Sequence, residues 1–193
     1  MFRISFSGEL TYEVNVQANY ARTVWDACIE AGQEHDIIPY GTEVMHVLRA
    51  EKGFIIVGQD TDGSVTPIDA GMNWIVNTRK DFLGKRSLSR FEMLRDDRKQ
   101  LVGLLTDSST EVLPEGGQIV DDPEAGVPTP MLGHVTSSYY SACLGRSIAM
   151  GLVKGGRSRM EDRVYVCDVG GRVIGAVIAS PVFYDLEGER QNV

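Results

Sequence analysis

The sequence predicts an α+β protein whose second half is all-β, on three observations. Over residues 1–94, apolar side chains recur at strand spacing in some segments and at helical spacing in others. A charged run, Arg95-Asp96-Asp97-Arg98-Lys99, interrupts that pattern. Beyond it helical periodicity largely stops, and short β-type segments with Gly and Pro punctuation take over.

Taken in order, Phe2, Ile4 and Phe6 alternate with Arg3, Ser5 and Ser7, the pattern of a half-buried strand. Ser7-Gly8-Glu9 turns the chain. A second strand follows, with Tyr12, Val14 and Val16 opposite Thr11, Glu13 and Asn15. Residues 19–31 read as a helix, because Tyr20, Val24, Ala27, Cys28 and Ala31 recur three and four apart and Gly32 ends the stripe. Cys28 is expected in the core. A second helix spans residues 42–52, with Thr42 as N-cap, Glu43 in the first turn and Gly53 as terminator. Residues 54–57 read as a buried strand and 58–67 as a polar connection. Met72, Trp74 and Val76 alternate with Asn73 and Asn77 on another strand. Residues 84–94 form a weaker helix.

After the charged run, strands are expected at 101–105, 118–120, 133–137, 147–153, 163–169 and 172–178. Gly170-Gly171 reads as a two-residue hairpin loop. So many short strands suit a small barrel or a sandwich. The boundary falls in the charged run, dividing the chain into residues 1–97 and 98–193.

The chain has 193 residues, 42% apolar and 24% charged, enough for one large domain or two small ones. Net charge is −8, which argues against nonspecific binding to nucleic acid or anionic membrane. Cys28, Cys143 and Cys167 are far apart and odd in number, and His35, His46 and His134 are scattered, so neither a disulfide framework nor a metal site is expected. No apolar run has membrane-spanning length, and the N-terminus lacks the features of a secretory signal, so a cytoplasmic protein is expected. Neither a dinucleotide-binding G-x-G-x-x-G nor a phosphate loop is present.

Several segments resemble one superfamily. Residues 5–13, Ser-Phe-Ser-Gly-Glu-Leu-Thr-Tyr-Glu, resemble the T-G-E-x-G-x-E turn of the glycine-cleavage aminomethyltransferases, or T-proteins. Leu48-Arg49-Ala50-Glu51-Lys52-Gly53 is similar to their L-R-x-E-x-G segment. Gly58-Gln59-Asp60 with the stretch from Thr66 to Trp74, and Asp81-Phe82-Leu83-Gly84-Lys85, resemble two further segments in the same order. The wording of residues 40–53, 131–140 and 180–185 is nearer to alpha subunits of heterotetrameric sarcosine oxidases. This resemblance implies an incomplete, ferredoxin-like α+β domain (the second half of an aminomethyltransferase-like folate-binding module, residues 1–97) followed by a small antiparallel β-barrel, residues 98–193.

The resemblance also implies a function: a folate-binding module that captures the one-carbon unit from oxidative demethylation of sarcosine as 5,10-methylenetetrahydrofolate. Glu13 is then a pterin ligand, because an ionised carboxylate accepts two parallel N–H bonds from the pterin edge. Trp74 lines the folate site and Tyr184 lies near it. Tyr139, Tyr140 and Arg146 are lesser candidates, and no catalytic residue or metal is assigned. Arg49 reads as structural. Tetrahydrofolate is the implied cofactor, with FAD, FMN and NAD expected only in other parts or subunits of the parent enzyme. The implied partners are those subunits and the preceding part of the alpha subunit. The isolated chain is expected to be inactive and to form a dimer that covers an unpaired edge or apolar face. Two alternatives stand beside this: a glycine-cleavage aminomethyltransferase or dimethylglycine dehydrogenase-like fragment, and a noncatalytic subunit-docking domain. Against the aminomethyltransferase, Met45 occupies the position of a folate-contacting arginine in that family.

Overall fold

A computed structural model describes residues 1–192. Its centre of mass in energetic terms is a closed six-stranded antiparallel barrel built from β3 (Lys99–Thr106), β4 (Gln118–Val120), β5 (Met131–Ser141), β6 (Arg146–Lys154), β7 (Arg163–Cys167) and β8 (Val173–Ala179). Neighbours run β3-β6-β5-β4-β7-β8, and β8 pairs back onto β3 through Leu104↔Ile178 and Leu105↔Val177. Of the two architectures open to so many short strands, closure selects the barrel, which leaves no long unpaired edge.

Strand alternation sorts the barrel side chains into two cores. Val102, Leu104, Ile119, Val135, Val153, Val164, Val166, Ile174 and Ile178 fill the interior. Leu101, Ile148, Met150 and Leu152 point the other way, where they meet Ala50 and the half-buried Ile55, Val65 and Phe183. The strand β6 is therefore buried on both faces, which explains its nearly uninterrupted apolar run Ile148-Ala149-Met150-Gly151-Leu152-Val153. Each such aliphatic side chain, fully removed from water, contributes about 1.5–3 kcal/mol.

The first half is thinner. Strands β1 (Phe2–Arg3) and β2 (Tyr12–Glu13) form a two-stranded antiparallel sheet with the register Phe2↔Glu13. They are much shorter than the alternation predicts, and Ile4, Val14 and Val16 are exposed. Alternation alone does not make a strand when no neighbour is present to complete the ladder. Helix α1 (Ala21–Gly32) follows a 3-10 turn at Ala18–Tyr20. Only Gly32 of α1 is buried, so Cys28 is exposed rather than in a core. Gly32 is the last α-helical residue but not the left-handed cap: the chain continues through a 3-10 turn at Gln33–His35 and turns off at Asp36, φ 54°, while Gly32 lets Ile37 approach to where a Cβ would stand 2.6 Å away.

Helix α2 (Thr42–Glu51) lies close to its predicted bounds, but its N-cap is Gly41 and Thr42 is already helical. Gly53 ends it in the left-handed region at φ 68°. Residues 54–57 are not a strand. They turn back, with Gln59 and Asp60 N–H groups bonded to the Ile56 carbonyl, and Val57 is exposed. The expected strand through Trp74 is a 3-10 turn, Asn73–Ile75, held by Ile75 N–H to Met72 O and Val76 N–H to Asn73 O. The third helix breaks into α3 (Lys85–Leu88) and a 3-10 turn at Phe91–Met93. The β7–β8 connection is longer than two residues, because Asp168 accepts the Gly170 and Arg172 N–H groups on its carboxylate and starts the turn early.

Candidate functional site

The last turn of α2 enters the outer face of the barrel, and each residue of Arg49-Ala50-Glu51-Lys52-Gly53 meets a different part of it. Arg49 is fully buried and pairs with the equally buried Asp60, donates to the Phe54 carbonyl at 3.1 Å, and reaches Ser137 Oγ at 2.7 Å. Asp60 also accepts from Ser137 at 2.5 Å, Thr136 at 2.6 Å and the Ile56 N–H at 2.8 Å. Ala50 packs among Leu101, Met150 and Leu152. Glu51 accepts from Ser141 Oγ at 2.5 Å, and its carbonyl takes the Phe183 and Tyr184 N–H groups. Lys52 pairs with Asp185 at 2.9 Å and holds that carboxyl below the ordinary carboxylate range. Gly53 lies against the Pro181 carbonyl, where a Cβ would stand 2.6 Å away. Buried charges need this many partners to be tolerated. Arg49 is structural as expected, with Asp60 as its partner.

A second clamp holds the 58–72 segment. Asp69 accepts Arg98 on both carboxylate oxygens and Thr66 through its N–H and hydroxyl. Burial opposes ionisation of Asp69 most strongly, yet the bonds from Arg98 and Thr66 together hold its carboxyl below the usual value. Arg157 donates to the carbonyls of Ile68 and Asp69.

Between these clamps lies an apolar cleft of about 530 Å³, lined among others by Phe6, Phe54, Met72, Trp74, Leu101 and Val182. Trp74 stands at its rim with its side chain 81% exposed. Glu13 is on β2, exposed, and without a polar side-chain partner among the described residues. Tyr184 follows β8, half-buried, with the Arg190 guanidinium 5.4 Å from its ring centre. Partial desolvation raises the phenol pKa of Tyr184, and Arg190 opposes that rise. No hydrogen bond or ring contact joins Glu13, Trp74 and Tyr184 among the described residues. Of the three, only Trp74 lines the cleft; Glu13 lies seven residues beyond Phe6 and Tyr184 two beyond Val182, the nearest lining residues in sequence.

Tyr139 serves the clamp, taking a 3.3 Å bond from Arg49, whereas Tyr140 is exposed. Arg146 donates to the Thr106 carbonyl at 3.1 Å and fastens β6 to the end of β3. Met45 receives the Tyr40 hydroxyl at its sulfur, 3.4 Å away. Sequence patterning alone passes over Lys52, Asp69, Arg157 and Asp185, because charged residues at loop and helix ends look like solvated surface until the fold buries them.

A two-part α+β and barrel architecture with this α2 plug defines a T-protein type of module. In fold it matches the crystal structure of glycine cleavage system aminomethyltransferase T from Bartonella henselae, with a TM-score of 0.78 over 94% of this chain and 48% of that one, at 22% identity. The GCVT N-terminal domain family matches residues 1–80, and the glycine cleavage T-protein C-terminal barrel domain matches residues 99–185. The chain belongs to the glycine cleavage T-protein family.

Within that family it is similar to sarcosine oxidase alpha subunits. It is 52% identical to the one from Corynebacterium sp. (strain P-1) over 98% of this chain, and 40% identical to the one from Rhizobium meliloti (strain 1021) over all of it. The aminomethyltransferase of Thermotoga petrophila is 30% identical over 94% of this chain. The chain spans about a fifth of the length of those alpha subunits and about half that of the aminomethyltransferase. No helix among the described residues is long and apolar enough to cross a membrane.

Proposed function

We propose that the chain is the folate-binding part of a sarcosine oxidase-type oxidoreductase, and that it presents tetrahydrofolate to the one-carbon unit released by oxidative demethylation of sarcosine, yielding 5,10-methylenetetrahydrofolate. The observation that carries the reading is the pairing of two T-protein domain matches, in order, with 52% identity to a sarcosine oxidase alpha subunit. Residues 1–97 form the second half of the α+β module and residues 98–193 the barrel domain. FAD, FMN and NAD belong to other parts or subunits of the parent, which works in the cytoplasm. The chain alone is inactive as an oxidase.

The site residues fit a pterin in chemistry. Glu13 is an unshared, exposed carboxylate, able to take the pterin ring N–H and exocyclic amine together. Trp74 offers a wide exposed face beside an apolar cleft, suited to the pterin or the aromatic ring next to it. Tyr184 follows Pro181 and Val182, which line that cleft, and its own ring lies beside Arg190. Nothing in this chain is asked to do covalent chemistry. Its role is orientation of the folate.

Calorimetric titration with tetrahydrofolate, of the chain and of the parent subunit, tests this. Binding that Glu13→Gln weakens about tenfold or more, the range of a lost charge-assisted bond pair, is the expected result. Unchanged affinity in Glu13→Gln of the parent subunit would remove Glu13 from the site and favour the subunit-docking alternative.

A further inference from the structure

The apolar cleft beside Trp74 is uneven in charge. Two of its lining side chains are cations, Lys52 and Arg157, and none is a carboxylate. The charge of Lys52 is already answered, because its buried ammonium donates to the Asp185 carboxylate at 2.9 Å. Arg157 differs. It makes no ion pair among the described residues, and its guanidinium donates only to two backbone carbonyls, Ile68 at 2.8 Å and Asp69 at 3.3 Å. The Asp69 carboxylate is held instead by Arg98 and Thr66.

The two carbonyls fix the Arg157 guanidinium without neutralising it. The residue is anchored at its backbone too, where its N–H donates to Gln100 Oε1 at 2.9 Å in the 3-10 turn Gly156–Ser158. A guanidinium carries five N–H groups, so most of them are left for a ligand. Nε has no protein partner and, unlike the Nε atoms of Arg49 and Arg146, is not shut away from solvent. Gly71 leaves the group uncovered as well: a Cβ there would stand 3.6 Å from Nη1, and glycine puts nothing in that space. Apolar walls lower the local dielectric, so a carboxylate entering the cleft is attracted more strongly than it would be at an open surface. The rest of the wall sets the body of the ligand. Phe6, Phe54 and Trp74 are aromatic, and Met72, Leu101 and Val182 are aliphatic, which suits a flat apolar ring. A volume of about 530 Å³ is that of a small-molecule site.

We infer that the cleft selects a ligand joining an aromatic ring to a carboxylate, and that Arg157 is the specificity-determining residue that binds the carboxylate. The planar guanidinium, held from behind by Ile68 and Asp69, presents its free N–H groups as a fork to the two oxygens. The inference deepens the folate reading above and rests on it for the choice of ligand, the benzoylglutamate portion of a folate. The charge asymmetry of the cleft stands by itself.

The test titrates the full chain by calorimetry with para-aminobenzoyl-glutamate and with its uncharged diamide, which keeps the ring and the shape without the carboxylates. Tetrahydrofolate is titrated alongside. The acid is expected to bind about tenfold or more tightly than the diamide, the range of a charge-assisted bond. Arg157→Gln should abolish that preference and leave the affinity for the diamide as it was. Arg157→Lys should keep part of it, since the charge survives and the fork does not. Arg157 also braces the loop at Ile68 and Asp69, but a loosened cleft would weaken acid and diamide together and leave their ratio alone. Equal affinity of the wild type for acid and diamide overturns the inference, as does a preference that persists in Arg157→Gln, or no binding of either fragment. In those cases tetrahydrofolate binding that Glu13→Gln weakens keeps the folate reading standing. Binding of the acid without binding of tetrahydrofolate supports the carboxylate site and counts against the folate reading.

Discussion

Arg49 and Asp60 are the residues on which the junction of the two halves turns. Both side chains are fully buried and are bonded from several directions by Phe54, Ile56, Thr136 and Ser137, with Arg49 Nε left without a partner among the described residues. Removing one partner strands the other charge, at a cost of about 3–5 kcal/mol. Asp60→Ala is therefore expected to lower the urea midpoint far more than removal of an exposed pair such as Arg22–Asp26, where the loss is about 0.3–0.5 kcal/mol. Asp69 carries a pH signature. Its folded carboxyl titrates below the ordinary aspartate value of 3.8, so its bonds stabilise the fold fully above that value. The contribution is lost as pH falls through the lower folded value. Stability of the wild type and of Asp69→Asn, measured by urea unfolding at a series of pH values, should differ most near neutrality and converge in strong acid. His134 runs to the same side for another reason. Burial first, and then the Lys99 charge, lower its pKa from 6.5, so it resists protonation in the fold and favours unfolding as pH falls below that value. Its NMR titration midpoint is expected below 6.5.

Among the elements, β5 and β6 show how tightly the barrel is built. Gly133 faces Val153 across the pair, and a Cβ there would stand 1.8 Å from the Leu152 carbonyl oxygen. The contact is with backbone, which cannot swing aside. Gly133→Ala is expected to cost about 1–3 kcal/mol as an overpacked site, read as a fall in thermal midpoint. Met150, fully buried between the barrel and α2, loses contact instead of gaining it: Met150→Ala should cost about 2–5 kcal/mol. Helix α1 makes the contrast. Its apolar stripe predicts a helix and a helix forms, but tertiary partners are what bury a stripe, and Trp25 and Cys28 remain exposed.

On the scale of the whole molecule, the exposed apolar side chains are concentrated in the first half. Phe2, Ile4, Tyr12, Tyr20, Trp25, Ile38 and Tyr40 all lie open, beside a two-stranded sheet with free edges. Surfaces of this kind associate. The chain in isolation is expected to dimerise, with a mass near twice 21.2 kDa in light scattering. A Trp25→Lys, Ile38→Lys variant is expected to shift it toward monomer. A monomer at high concentration without those changes would mean that the open face is stable in water.

The sequence by itself determined the class of the molecule: six β-segments after the charged run, two strong helices before it, and the ordered motifs that placed it among T-protein modules. Those features are local or periodic, and local patterning survives without knowledge of neighbours. On resemblance and not on geometry it offered Glu13, Trp74 and Tyr184 as folate-binding candidates, and the exposure of Glu13 and Trp74 came only with the structure. Tertiary structure alone decided barrel over sandwich, because closure depends on β8 returning to β3 across more than seventy residues. It decided that Trp74 sits on a turn, since alternation cannot tell a strand from a turn without a pairing partner. It also decided which charges are buried: Arg49, Lys52, Asp60 and Asp69 look like ordinary surface in a linear reading, and only the packing of α2 and its loops onto the barrel removes them from water and gives each the partner that makes burial tolerable.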